Sequence, residues 1–187
     1  KIVSGYLEHI RMTDLTEKKP KVLVVINPVA GFMNDKVMKH VIHEHFSRKG
    51  WELEFVITQR DTDLCELVRK TISKGLDLVV VAGGDGTIAS VAAGMAGSSV
   101  PLGIVPSGTW NAIARHLMLP FLPIRALALM TGKHQVRYLD LMSIGKSVHA
   151  MNLSVGFSAR VIKSTSRDIK RKYGNLAYFK NLFKELF

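Results

Sequence analysis

The stretch VVVAGGDGTIASV, residues 79–91, decides how the rest of the chain is read. Three valines and an alanine make a strand fit to be covered on both faces, the form taken by strands of a parallel sheet. Gly83-Gly84-Asp85-Gly86-Thr87 then interrupts it with residues that mostly hold neither strand nor helix well. The apolar pattern resumes at Ile88, Val91, Ala92 and Met95, spaced as on a short helix. A strand that runs through a glycine turn into a helix is expected where something approaches the backbone. Glycine reaches positive φ and lets N–H groups come close to an anion. Asp85 is the only acid in the turn.

The flanking sequence alternates strands and helices. KVLVVINP (21–28) is a near-continuous apolar strand. Asn34 is placed to cap a helix over 35–48, with Val37, Met38, Val41, Ile42 and His45 at helical spacing and Gly50 as its stop. WELEFVIT (51–58) alternates as a strand, and Asp63 starts a helix through Leu64, Leu67, Val68 and Ile72 to Gly75. VPLGIV (100–105) is a further buried strand, followed by PSGTWN and a helix to about Leu117. Such alternation with short loops predicts a three-layer α/β fold, a parallel sheet with helices on both faces, and ligands bind outside the carboxyl ends of its strands. We expect an N-terminal extension over 1–20, an α/β domain over 21–133, and the start of a second, β-rich domain over 134–187.

Composition narrows the partners. The chain has 187 residues, 47% of them hydrophobic, and one cysteine, Cys65, so it has no internal disulfide and fits a reducing compartment. No apolar run reaches the length of a membrane span. Lys and Arg number 26 against 15 acids, a formal charge of +11, which points to an anionic partner. Basic residues are not interleaved with aromatics on a recognisable platform, so nucleic acid is not the expected partner. His40, His43 and His45 lie on a helix whose apolar stripe already accounts for it, and they suggest no metal site.

Three strands end in loops of unusual chemistry: NPVAG (27–31), GGDGT (83–87) and PSGTWN (106–111). All three should open on one edge of the sheet, with the helices that follow aiming their positive ends at the same place. Thr87, Ser107 and Thr109 add hydroxyls, and Asp85 suits a metal or a ribose. The result reads as a polyphosphate cradle. It has neither the G-x-x-x-x-G-K-[ST] nor the G-x-G-x-x-G pattern.

NPVAG, GGDGT and PSGTWNAIAR, in this order and spacing, resemble the diacylglycerol kinase catalytic domain family, which includes bacterial lipid kinases and sphingosine kinases. YLDL (138–141), AMNLSVGFSARV (150–161) and KYGNLAYFKNL (172–182) extend the resemblance into that family's second domain. The resemblance implies ATP as the phosphoryl donor with Mg²⁺ on its phosphates, and a lipid hydroxyl as acceptor. It implies nucleotide contacts at Asn27, Pro28, Val29, Ala30 and Gly31, at Thr58, and along Gly83, Gly84, Asp85, Gly86 and Thr87. In the third loop it points to Ser107, Gly108, Thr109 and Asn111. Asp85 is the first choice for a functional role, orienting nucleotide, metal or the attacking hydroxyl. Asp140 matches an aspartate facing the same cleft.

The chain departs from the family pattern at Ala30, where NPxSG has a serine, at Ala112, where GTxND has an acid, and at Trp110, where a small residue is common. No DGE segment occurs in the chain, so the family's general base is expected outside it and the chain is expected to be a fragment, inactive on its own. The partner implied is a lipid at an anionic membrane surface, met peripherally from the cytoplasm, with a homodimer as an option. Arg167, Lys170, Arg171 and Lys172 beside the amphipathic YGNLAYFKNLFKELF suit such docking, or that helix packs on the second domain with its lysines in water. Two other functions stay open: an NAD kinase-like small-molecule kinase, and a non-catalytic module that binds nucleotide or anionic lipid.

Overall fold

The computed structural model describes residues 19–30, 34–144 and 147–149. Four strands, β1 (Lys21–Ile26), β2 (Glu52–Ile57), β3 (Leu78–Gly83) and β4 (Leu102–Pro106), form one sheet in the order β2-β1-β3-β4, with every neighbouring pair parallel. The helices are α1 (Asp35–Ser47), α2 (Leu64–Ile72), α3 (Asp85–Gly94), α4 (Ala112–His116) and α5 (Pro123–Thr131). Strand alternation divides the core in two. Val22, Val24 and Ile26 meet Met38, Ile42 and Phe46 of α1 and Leu127 of α5 on one face. Leu23 and Val25 meet Val68 of α2, Ile88 and Val91 of α3 and Ile113 of α4 on the other. This is the three-layer α/β fold expected from the sequence.

Local signals act as read. The Asn34 side chain accepts from Lys36 N–H, and the Asp63 side chain from Glu66 N–H, each opening its helix. Val37, expected on the apolar stripe of α1, is exposed instead. The sequence reading did not assign α5, which starts with Pro123 at its first turn, where a missing N–H costs no bond. Beyond it, β5 (Met142–Ile144) and β6 (Ser147–His149) pair antiparallel as a separate two-stranded sheet.

The chain steps from β1 outward to β2, then crosses back past β1 to β3 and β4. Helix α1 therefore leaves β1 toward one face, and α3 leaves β3 toward the other. The gap between the carboxyl ends of β1 and β3 is the topological switch point, where open α/β sheets bind ligands.

Candidate active site

Three loops meet at this switch point. After β1, Asn27 donates its backbone N–H to Ala82 C=O at 2.9 Å and its side-chain Nδ2 to Thr87 Oγ1 at 2.7 Å. Asn27 Oδ1 accepts from Val29 N–H, so one side chain folds the first loop and fastens it to α3. After β4, Ser107 N–H donates to Gly83 C=O at 3.1 Å. Thr58, at the end of β2, donates its N–H to Ile26 C=O and is buried on the same edge.

The glycines at the site act differently from the expectation. None of Gly83, Gly84, Gly86 or Gly108 has a positive φ; among the described glycines Gly50, Gly75 and Gly97 do. Helix α3 starts at Asp85, so the motif is a strand end, one N-cap residue and a first helical turn rather than an open loop. At Gly83, Gly84 and Gly108 glycine is required because other atoms are near, whereas a Cβ on Gly86 would meet open space. A Cβ on Gly84 would sit 3.1 Å from Gly108 Cα, a Cβ on Gly108 would collide with Gly84 Cα, and one on Gly83 would come 2.8 Å from Thr87 Cβ. The second and third loops thus touch backbone to backbone.

The helix N-termini are not equivalent either. That of α1 is capped by Asn34, and that of α4 receives Asp85, whose Oδ1 accepts from Ile113 N–H at 3.1 Å. At α3 the N-cap is Gly84, which has no side chain, and no cap bond is made. The first-turn N–H groups of Asp85, Gly86 and Thr87 have no partner within the helix and lie at the positive end of its dipole. Of the three helices, α3 is the one whose first turn receives no side-chain cap, so its whole set of N-terminal donors is open to an anion.

The other expected residues fall into three groups. Asn111 takes a left-handed conformation (φ 48°), and its amide bonds Gly108 at both ends, Oδ1 from the N–H at 2.8 Å and Nδ2 to the C=O at 2.9 Å; it shapes the third loop. Pro28, Val29 and Thr109 are exposed, while Ala30 and Ser107 line a shallow recess with Ile26, Asn27 and Ala82. Asp140 is exposed and, among the described residues, has no hydrogen bond or ion pair. Gly31 lies outside the described residues, as does the basic cluster at 167–172. Asp35, which also lines the recess, was missed by the sequence reading; its place directly after the capping Asn34 is the signal that could have found it.

The diacylglycerol kinase catalytic domain family matches residues 21–144, which include the whole sheet and all three loops. The chain belongs to this family. Its relatives include proteins named "Probable lipid kinase YegS-like". One, from Xanthomonas euvesicatoria, is 36% identical over 141 residues, covering 70% of this chain and 45% of that protein. One from Pseudomonas aeruginosa is 33% identical over 163 residues, covering 86% of this chain and 52% of that protein. A solved structure described as a diacylglycerol kinase from Bacillus anthracis superposes with a TM-score of 0.57 at 29% identity, over 65% of this chain and 42% of that one. The chain spans about half the length of the curated relatives it matches.

Proposed function

We propose that the protein carrying this chain is an ATP-dependent lipid kinase, and that this chain supplies its nucleotide lobe. One observation carries the reading: α3 alone among the three helices at the switch point has no side-chain cap on its first turn, and the other two loops are fastened around it. The N–H groups of Asp85, Gly86 and Thr87 would donate to phosphate oxygens, as helix N-termini do in other phosphate sites. Asn27 holds Thr87, and Gly84 against Gly108 fixes the distance between the loops. Asp85 has one carboxylate oxygen committed to Ile113, so it joins the phosphate site to the third loop and leaves its second oxygen for a metal-bound water or a hydroxyl.

Among the described residues no three His, Cys, Asp or Glu side chains come together as a metal cage. Asp85 is the residue of this site that would help hold Mg²⁺, which usually takes one or two carboxylates with substrate phosphates, and the ion would supply neutralisation of phosphate charge. Positioning and charge neutralisation are then what this lobe contributes. No helix among the described residues is long and apolar enough to cross a membrane. A lipid acceptor, which resides in the bilayer, would be met at the membrane surface.

Transfer of labelled γ-phosphate from ATP to a lipid, using the whole protein and mixed micelles of diacylglycerol, a sphingoid base or a phospholipid, tests the reading. A labelled lipid product is expected. ATP binding with no product on any acceptor would instead favour a non-catalytic module, the reading that Ala112 supports by standing where the family motif has an acid.

A further inference from the structure

The connection between α4 and α5 breaks two rules at one residue. Met118 N–H bonds Arg115 C=O at 3.0 Å, and Leu119 N–H bonds Ala114 C=O at 2.8 Å, the paired bonds of a Schellman helix end. The residue in the left-handed position of that motif is Met118, at φ 54°, where glycine is favoured. Its side chain is 78% exposed. Neither backbone preference nor packing accounts for a methionine there.

It is not alone. Leu122 and Ile124 are 59% and 65% exposed, and Phe121 stands exposed between Pro120 and Pro123, which stiffen the turn. Exposed apolar clusters of this kind mark interaction surfaces. The charge along this stretch of chain has one sign. No Asp or Glu occurs between Asp85 and Asp140, whereas Arg115, Arg125, Lys133 and Arg137 do, all of them exposed. The cluster is also wired to the candidate site: Arg115 lies over the Phe121 ring at 5.2 Å and donates Nε–H to Trp110 C=O at 2.9 Å, within the third loop.

We propose that Met118, Phe121, Leu122 and Ile124 insert into the interfacial layer of an anionic bilayer, with Arg115 and Arg125 on its phosphate head groups. Protruding apolar side chains among cations, on a stretch of chain without acids, are what such a surface attracts. A protein partner would need acids facing these arginines as well as an apolar socket, and nothing on the molecule favours that more specific match. The choice of occupant rests in part on the lipid-kinase reading, whose acceptor resides in the bilayer. Docking here would hold the third loop, and with it the phosphate site, beside the head groups.

The test is co-sedimentation of the whole protein with vesicles of phosphatidylglycerol and phosphatidylcholine in equal parts, compared with phosphatidylcholine alone. Binding to the anionic vesicles is expected to weaken about tenfold or more in a Met118→Ser, Leu122→Ser, Ile124→Ser triple variant, and about fivefold in Arg125→Gln. Met118→Gly should weaken binding while raising the melting temperature by roughly 2–4 °C, because glycine relieves the left-handed position. Three outcomes overturn the proposal: unchanged vesicle binding by the triple variant; a fall in its melting temperature, which would mean the patch is packed against another part of the chain; or a change in its oligomeric state, which would mean a second copy covers it. Transfer to a water-soluble short-chain diacylglycerol should be unaffected in the triple variant. If the wild type transfers to no lipid while its vesicle binding still depends on the patch, the kinase reading fails and the docking surface stands.

Discussion

Two sets of glycines in this domain serve opposite demands. Gly50, Gly75 and Gly97, in the turns that follow α1, α2 and α3, have φ between 74° and 82°, and nothing lies within 4 Å of where a Cβ would be. Their backbones require glycine and their surroundings do not. At the switch point the case is reversed: Gly83, Gly84 and Gly108 have no positive φ, yet a Cβ on each would press on Thr87 or on the facing loop. The turns need glycine to finish a helix, and the site needs it to bring two backbones together. A substitution in the first set should cost stability alone, whereas one in the second should cost function as well.

The sharpest break of this contrast is Gly108→Ala. It drives a methyl group into Gly84 Cα, and backbone atoms yield less than side chains, so we expect about 1–3 kcal/mol of destabilisation and loss of ATP binding by about tenfold or more. Thermal melting and titration calorimetry measure the two effects separately. Asp85→Ala comes next. It removes the acceptor of Ile113 N–H and should cost about 1–2 kcal/mol, while Asp85→Asn, which still offers an oxygen, should cost less. Equal losses in the two variants would show that the charge rather than the bond sustains the third loop. Gly75→Ala should cost about 1–2 kcal/mol by forcing alanine into the left-handed region and should leave ATP affinity unchanged.

The smallest effect is one of pH and lies far from the site. His45 on α1 shares a 2.9 Å hydrogen bond with Thr131 Oγ1 on α5, and burial, aided by the nearby Lys49, holds its pKa below the ordinary 6.5. The unfolded chain therefore takes up this proton at a higher pH than the folded one. The contribution is fully present above about pH 6.5 and is lost as pH falls from there toward the lowered folded value. Denaturant midpoints measured between pH 7.5 and about 5 should decline less in His45→Gln than in the wild type.

What was legible in the sequence was local. The apolar runs 22–26 and 78–82 announced strands covered on both faces, and they are buried throughout. Asn34 and Asp63 announced two helix starts through side chains that bond only two or three residues ahead. The three loops could be placed on one edge because every strand of a parallel sheet ends there. What escaped was the result of strands becoming neighbours. Asp85 meets Ile113, and Gly84 meets Gly108, only because β3 pairs with β4, and no pattern within either loop encodes the contact. The glycine motif looked like an open loop because helix propensity disfavours Gly86, yet α3 starts before it, held by the buried Ile88 and Val91. Helix α5 was missed for a related reason: of the exposed Leu122, Ile124 and Leu129, none joins the buried Ala126, Leu127 and Met130 in a core-facing stripe.

The central claim is that nucleotide phosphate is bound by the uncapped start of α3, at a spacing fixed by the contact of Gly84 with Gly108. Calorimetric titration of Mg-ATP into the whole protein and into its Gly108→Ala variant, below the melting temperature of both, tests it most directly. The account predicts binding by the wild type and a loss of about tenfold or more in the variant while it remains folded. Equal affinity in both, or no binding by the wild type, would contradict it.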